Sequence, residues 1–151
     1  MFPLGGGLAL LEPDDWRDVH ALMVAREFPN VPDTFAQAMP YFGTCTMVGA
    51  RGREGLRVVF VLGQPDDGIA FLDVVCAAPA AGMWATRVLM GALARYVFVD
   101  MGLRCVWVQV HGKTALKAAL KAGFKPLDNL RGKAPVLAMT PLMAKPLMGR
   151  V

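Results

Sequence analysis

The sequence predicts an α/β fold: a single domain spanning residues 1–151, with a mixed, mainly antiparallel sheet around one central βαβ crossover. Three observations carry this expectation. Residues 68–78 and 105–110 are apolar, β-favouring runs joined by a helical stretch from about 84 to 100, and strand, glycine turn, helix, strand is a right-handed crossover with parallel strands. Upstream, residues 44–50 and 56–63 flank the polar turn Arg51-Gly52-Arg53-Glu54-Gly55, which reads as an antiparallel hairpin. The chain of 151 residues shows no repeat, linker or internal boundary, as suits one core.

Each element has its own signal. Residues 8–11 form a short first strand. Glu12-Pro13-Asp14-Asp15 then starts a helix to about residue 27, with proline in its first turn and acids at its positive end. Trp16, Val19, Leu22 and Met23 make its apolar face. Phe28-Pro29-Asn30-Val31-Pro32 breaks this helix, and residues 33–39 supply a second, short one. After the hairpin, Gln64-Pro65-Asp66-Asp67-Gly68 turns the chain into the fourth strand, residues 69–76. The crossover helix follows Pro79-Ala80-Ala81-Gly82 and is apolar on most sides. The fifth strand ends at His111-Gly112, and a helix over residues 113–122 aligns Leu116, Ala119 and Leu120. Gly123 ends it as a left-handed cap. Residues 124–130 and 136–140 make a final strand pair, leaving 143–151 as a tail.

Composition narrows the function classes. With 55% hydrophobic residues and a mean hydropathy of +0.42, the chain predicts deep burial and a homo-oligomer. No apolar run reaches the roughly 20 residues needed to span a bilayer, because Arg87, Arg95, Asp100 and Arg104 punctuate the richest region. The start Met1-Phe2-Pro3-Leu4-Gly5 lacks the basic residues of a secretory signal. Cys45, Cys76 and Cys105 are odd in number and widely spaced in strand-like runs, which predicts reduced core cysteines in a cytoplasmic protein and no metal site. The net charge of +4 favours an anionic ligand. Lys113, Lys117 and Lys121 recur every four residues with Lys125 beyond, as either a solvated face or a phosphate contact. Few aromatics accompany these lysines, which does not favour nucleic acid as the partner.

The element order β, α, α, β, β, β, α, β, α, β, β resembles the GNAT superfamily of acetyl-coenzyme A dependent N-acetyltransferases. The most specific part runs from Val108-Gln109-Val110-His111-Gly112-Lys113-Thr114-Ala115-Leu116 to Ala122-Gly123-Phe124, which looks like the second motif of that family. Leu127-Asp128-Asn129-Leu130-Arg131-Gly132-Lys133 looks like the following segment in the branch that acetylates ribosomal-protein N-termini. Gly82-Met83-Trp84-Ala85-Thr86-Arg87, with Leu89, Leu93 and Tyr96-Val97-Phe98, is similar to small acetyltransferase-like proteins encoded by bacteriophages.

The resemblance implies transfer of an acetyl group from acetyl-CoA to a primary amine. It implies that strands four and five splay apart, with the pantetheine arm between them on the backbone near Val75, Cys76 and Ala77. The pyrophosphate would lie on Gly82, Met83, Trp84, Ala85, Thr86 and Arg87, near Gly112 and Lys113 at the next helix start. Asp73, between Leu72 and Val74, matches best the place of a family general base. His111, at the mouth of the splay, is a candidate for proton transfer, since an imidazole is the side chain suited to exchange protons near neutrality. His20 is read as structural and Cys76 as an inert strand cysteine. Glu27, Phe28, Phe35 and Tyr41 are acceptor-side candidates.

The chain departs from the family pattern at five positions. Ala81 stands where the loop has a polar residue, Trp84 and Thr86 where it has glycines, Gly112 in place of an asparagine, and Ala119 in place of a tyrosine acid. These departures, with the apolar segments 1–7 and 143–148 read as contact arms, define an alternative. In it the fold has lost its chemistry and serves as a structural or assembly component of a phage virion, acting through those ends.

Overall fold

In the computed structural model, which describes residues 1–78, 83–127 and 134–149, the chain forms β1 (Phe2–Gly5), β2 (Leu8–Leu10), a 3-10 turn (Pro13–Asp15), α1 (Trp16–Ala25) and α2 (Phe35–Phe42). These are followed by β3 (Thr46–Gly52), β4 (Gly55–Leu62), β5 (Ile69–Cys76), α3 (Arg87–Arg95) and a wider π-helical turn (Tyr96–Asp100). The remaining elements are β6 (Cys105–Gln109), α4 (Lys113–Ala122), β7 (Lys125–Pro126), β8 (Val136–Met139) and α5 (Pro141–Met148). The strands form one sheet in the order β1-β2-β3-β4-β5-β6-β8-β7. Among the described residues its only parallel neighbours are β5 and β6, joined by the expected crossover through α3. The other neighbours run antiparallel. The additional strand β1 makes the predicted fourth and fifth strands β5 and β6.

The sheet divides two cores. In β4, Val58, Phe60 and Leu62 point toward α3, where they meet Leu89, Met90 and Leu93. Val59 and Val61 point the other way, toward Val19 and Met23 of α1 and Ala38 and Phe42 of α2. A central strand buried on both faces needs a continuous apolar run rather than an alternating one, and Val58-Val59-Phe60-Val61-Leu62 is that run. Gly49 of β3 lies where a Cβ would come within 2.5 Å of the Val58 carbonyl, so its lack of a side chain lets β3 and β4 approach.

Polar side chains close the helix starts. Glu12 and Asp15 form a reciprocal capping box before α1, and Thr34 and Gln37 form another at α2. Asp15, buried at 6% exposure, accepts from the Glu12 N–H (2.9 Å), the Met1 ammonium (3.2 Å) and Arg51 (3.1 Å), while Arg51 also reaches Asp18. Burial alone would raise the Asp15 pKa. The bonds from Glu12, the Met1 ammonium and Arg51 outweigh it and hold the carboxyl below its usual range.

Both ends differ from the expected contact arms. Residues 1–7 form β1 and a tight turn, because Gly5, Gly6 and Gly7 adopt φ of +96°, +60° and +83°, a reversal that needs glycine. The tail forms α5, with Thr140 as N-cap and Pro141 in its first turn, lying against α3. At Gly91 of α3 a Cβ would meet the Leu147 carbonyl at 2.5 Å, so glycine permits this close packing. Arg87 and Arg95 then donate to the carbonyls of Pro146 (3.2 Å) and Met148 (2.8 Å), the acceptors that a helix C-terminus leaves open.

Smaller corrections concern boundaries. The crossover helix starts at Arg87 rather than 84, because Thr86 caps it through the Leu89 N–H (3.2 Å). The strand expected over 124–130 is a two-residue β7, and its positions 128–130 lie outside the described residues. Cys45, Cys76 and Cys105 are free thiols, each half-buried rather than in the core.

Candidate functional site

The parallel pair β5/β6 is short. Its register holds at Ile69 with Cys105, Ala70 with Val106 and Phe71 with Trp107, and ends there. Beyond Phe71, β5 continues along β4 to Cys76, while β6 continues along β8 to Gln109. Strands that stay paired on their outer sides while losing each other splay apart, and a cavity of about 760 Å³ opens at the parting.

Hydrogen-bond alternation shows which backbone groups face this gap. The Gly63 N–H donates to the Phe71 carbonyl and the Ala77 N–H to the Arg57 carbonyl, both at 2.9 Å. Phe71, Asp73, Val75 and Ala77 therefore turn their peptide groups toward β4, and Leu72, Val74 and Cys76 turn theirs toward the gap. Of the three residues expected to meet a pantetheine arm, Cys76 faces the opening, and Val74 does so in place of Val75 and Ala77. Strand period alone, without a register, could not distinguish these two parities.

Side chains alternate in the opposite sense. Asp73 shares the face of Val75, toward α1 and α2, and lines the cavity half-buried. Burial pushes its pKa up, and the nearby His111 charge partly opposes that rise. His111 follows β6 and lines the same cavity, as does Tyr41 of α2. Burial raises the Tyr41 hydroxyl pKa, and the charges of Cys45 and Asp73 add to it. The sequence-predicted pair Asp73 and His111 is thus brought together in one cavity, with Tyr41 as a third titratable group.

The α1–α2 connection forms the outer wall with Phe28, Pro29, Asn30, Val31 and Pro32. His20, buried at 8% exposure, donates from Nε2 to the Pro32 carbonyl at 2.8 Å, which fixes its tautomer and holds this wall to α1. Its role is structural, as expected. Phe28 and Tyr41 of the acceptor-side candidates line the cavity; Glu27 and Phe35 do not. Asn30, held at φ +62°, and Gln109, whose amide donates to the Ala134 carbonyl at 3.4 Å, line or border the opening without any sequence motif to announce them.

On the opposite face, Trp84 meets Phe60 edge-on with centroids 5.4 Å apart and borders the cavity. Thr86 engages Leu89, leaving the Arg87 and Val88 N–H groups at the α3 start. The Met83 carbonyl accepts from Arg57 at 3.3 Å. The Arg87 guanidinium points to α5, away from that helix start. Gly112, at φ +89°, leads into α4, where Lys113 is exposed. Ala115, Ala118, Ala119 and Ala122 of α4 give the cavity a wall of small side chains. Gly82 and the Ala81 position lie outside the described residues. Among the described residues no group of three His, Cys, Asp or Glu side chains is placed to hold a metal, and no helix is long and apolar enough to cross a membrane.

A mainly antiparallel sheet whose one parallel pair parts over a cavity, with a crossover helix on one face and two helices on the other, is the fold of the GNAT N-acetyltransferases. Solved structures agree over nearly the whole chain. A spermidine N-acetyltransferase from Vibrio cholerae in complex with CoA and spermine matches with a TM-score of 0.72 at 16% identity, covering 90% of this chain and 95% of that one. The dodecameric form of the Vibrio cholerae enzyme matches with a TM-score of 0.69 at 16% identity over 89% and 92%. A chimera of the Vibrio cholerae enzyme SpeG and hSSAT matches with 0.72 at 15% identity over 95% and 98%. No family model matches the chain, and no curated protein matches it. At these identities the likeness is one of fold.

Proposed function

We propose that this chain is an N-acetyltransferase that uses acetyl-CoA to acetylate a primary amine. The observation that carries the reading is the splay itself: a free strand edge with inward peptide groups, opening on a cavity that holds a carboxylate and an imidazole. The residues present fit the coenzyme. Val74 and Cys76 offer amide donors and acceptors to a pantetheine arm, and the alanines of α4 leave room for it. Met83, Trp84, Ala85, Thr86 and Arg87 lie around the start of α3, and Gly112 and Lys113 at the start of α4, as the phosphate side. The enzyme with CoA and spermine adds support by analogy of fold.

When bound, acetyl-CoA supplies an acetyl thioester. The chain's own groups do the rest. An ammonium must shed a proton to become a nucleophile, and Asp73, with its raised pKa, is a stronger base than an exposed aspartate. His111, exposed at the rim of the same cavity, is placed to relay the proton to solvent. The peptide N–H of Val74, the first on β5 beyond the parallel ladder, is the donor available to polarise an acyl oxygen. Ala119 offers no proton to a leaving thiolate, which loses an optional acid and leaves the base and the edge in place.

Calorimetric titration with acetyl-CoA, desulfo-CoA and ATP tests the reading. The expected result is micromolar binding of both coenzymes and none of ATP; no coenzyme binding would overturn it.

A further inference from the structure

The acceptor half of the cavity is walled by apolar side chains. Met23 of α1, Phe28 and Val31 of the following loop, Phe42 of α2 and Phe71 of β5 all face it. Among the described residues lining it, Asp73 is the only carboxylate. A polyamine carries several ammonium groups along one flexible chain, and each one taken from water needs its own anionic or polar partner. This lining answers one charge with a carboxylate, offers the neutral polar groups of Asn30, Tyr41 and Gln109 and the His111 imidazole besides, and otherwise covers hydrocarbon. The chain's net charge of +4 also works against a polycation approaching it.

We infer that the acceptor is a monoamine with an aromatic or branched aliphatic body, its amine directed at Asp73 and its body against Phe28, Val31 and Phe71. This rests on the acetyltransferase reading and departs from the polyamines named for the structural neighbours. Electrons and atoms balance as in acetyl transfer: the ammonium gives one proton to the Asp73 carboxylate, the amine nitrogen bonds the acyl carbon, the carbon–sulfur bond breaks, and coenzyme A leaves as a thiolate that takes up, through solvent, the second proton the nitrogen sheds.

The test compares phenethylamine with spermidine as acceptors for the intact protein, together with calorimetry of each amine on protein saturated with desulfo-CoA. The expected result is a kcat/KM at least about tenfold higher for phenethylamine, with matching selectivity in binding. Val31→Glu, a loop substitution that adds a second carboxylate to the wall, is expected to shift the ratio toward spermidine by about tenfold. Equal or better use of spermidine would overturn the inference while leaving acetyl transfer intact. Coenzyme binding without binding or acetylation of phenethylamine would also overturn it. Absence of coenzyme binding would instead bring down the acetyltransferase reading, and the acceptor class with it.

Discussion

Phe71 and Trp107 pack with ring centroids 4.4 Å apart and planes tilted by 51°, at the last registered pair of β5 and β6. One residue further on, the two strands have no ladder between them. The aromatic pair therefore sits at the vertex of the splay, where it ties together the ends of the paired segment and forms part of the cavity floor through Phe71.

A double-mutant cycle measures that tie. Phe71→Leu and Trp107→Leu, alone and together, are expected to show a coupling of about 0.5–1.5 kcal/mol in urea unfolding. Strict additivity would mean that the rings merely fill space.

Asp73→Asn keeps the side-chain shape and removes the base. Acetyl transfer is expected to fall about a hundredfold or more, with coenzyme affinity nearly unchanged, because the proposed coenzyme contacts are on the strand edge rather than on this carboxyl. Unchanged turnover would remove Asp73 from the chemistry.

The same substitution has a consequence for stability that runs the other way. The folded pKa of Asp73 is raised above its ordinary 3.8, so the native state holds more protons than the unfolded state as pH climbs past that value, and stability declines across that interval. Asparagine has no such decline. Melting curves of the two proteins are expected to coincide in strong acid and separate toward neutrality, with Asp73→Asn the more stable. Parallel curves at every pH would show that burial does not penalise the charge.

Asp15 is the opposite case. Its pKa is depressed, so its stabilising contribution is present above the ordinary aspartate range and is lost as pH falls through the folded value. Asp15→Ala leaves the Glu12 N–H without its acceptor and Arg51 with Asp18 alone, and is expected to cost about 1–3 kcal/mol at neutral pH, less in acid. Chemical denaturation at two pH values checks both the size and the trend.

Gly91→Ala places a methyl against the Leu147 carbonyl, which is backbone and cannot swing away. A loss of about 1–3 kcal/mol is expected, with α5 lifted from α3. Greater amide exchange in α5 than in α4 would identify where the strain is released.

Most of the scaffold is legible in the sequence because its signals are local. The hairpin glycines, the apolar run of β5, the period of α4 and the cap at Gly123 each act within a few residues of themselves. The two ends lack such local signals for a related reason. Phe2-Pro3-Leu4-Gly5 is too short to show a strand period, and the prolines at 141 and 146 hide a helix that depends on packing against Gly91 for its place. In the site, Asp73 stands out as a carboxylate within an apolar strand and His111 as the polar residue at the break just after one. The assignment of Val74 rather than Val75 to the open edge depends on pairing with β4, and the role of Asn30 depends on a left-handed backbone after α1; neither leaves a trace in residue type.

Because the sheet lies between its two hydrophobic layers, the cavity draws its walls from separate reservoirs of side chains: α1 and α2 on one side, α3 and α4 on the other. On the proposed acetyltransferase reading, variation in either reservoir reaches only one of the two reactants. Acceptor preference can therefore drift under selection while donor recognition is conserved, and a library restricted to residues 28–32 and α2 would explore new amines on a fixed acyl-transfer frame.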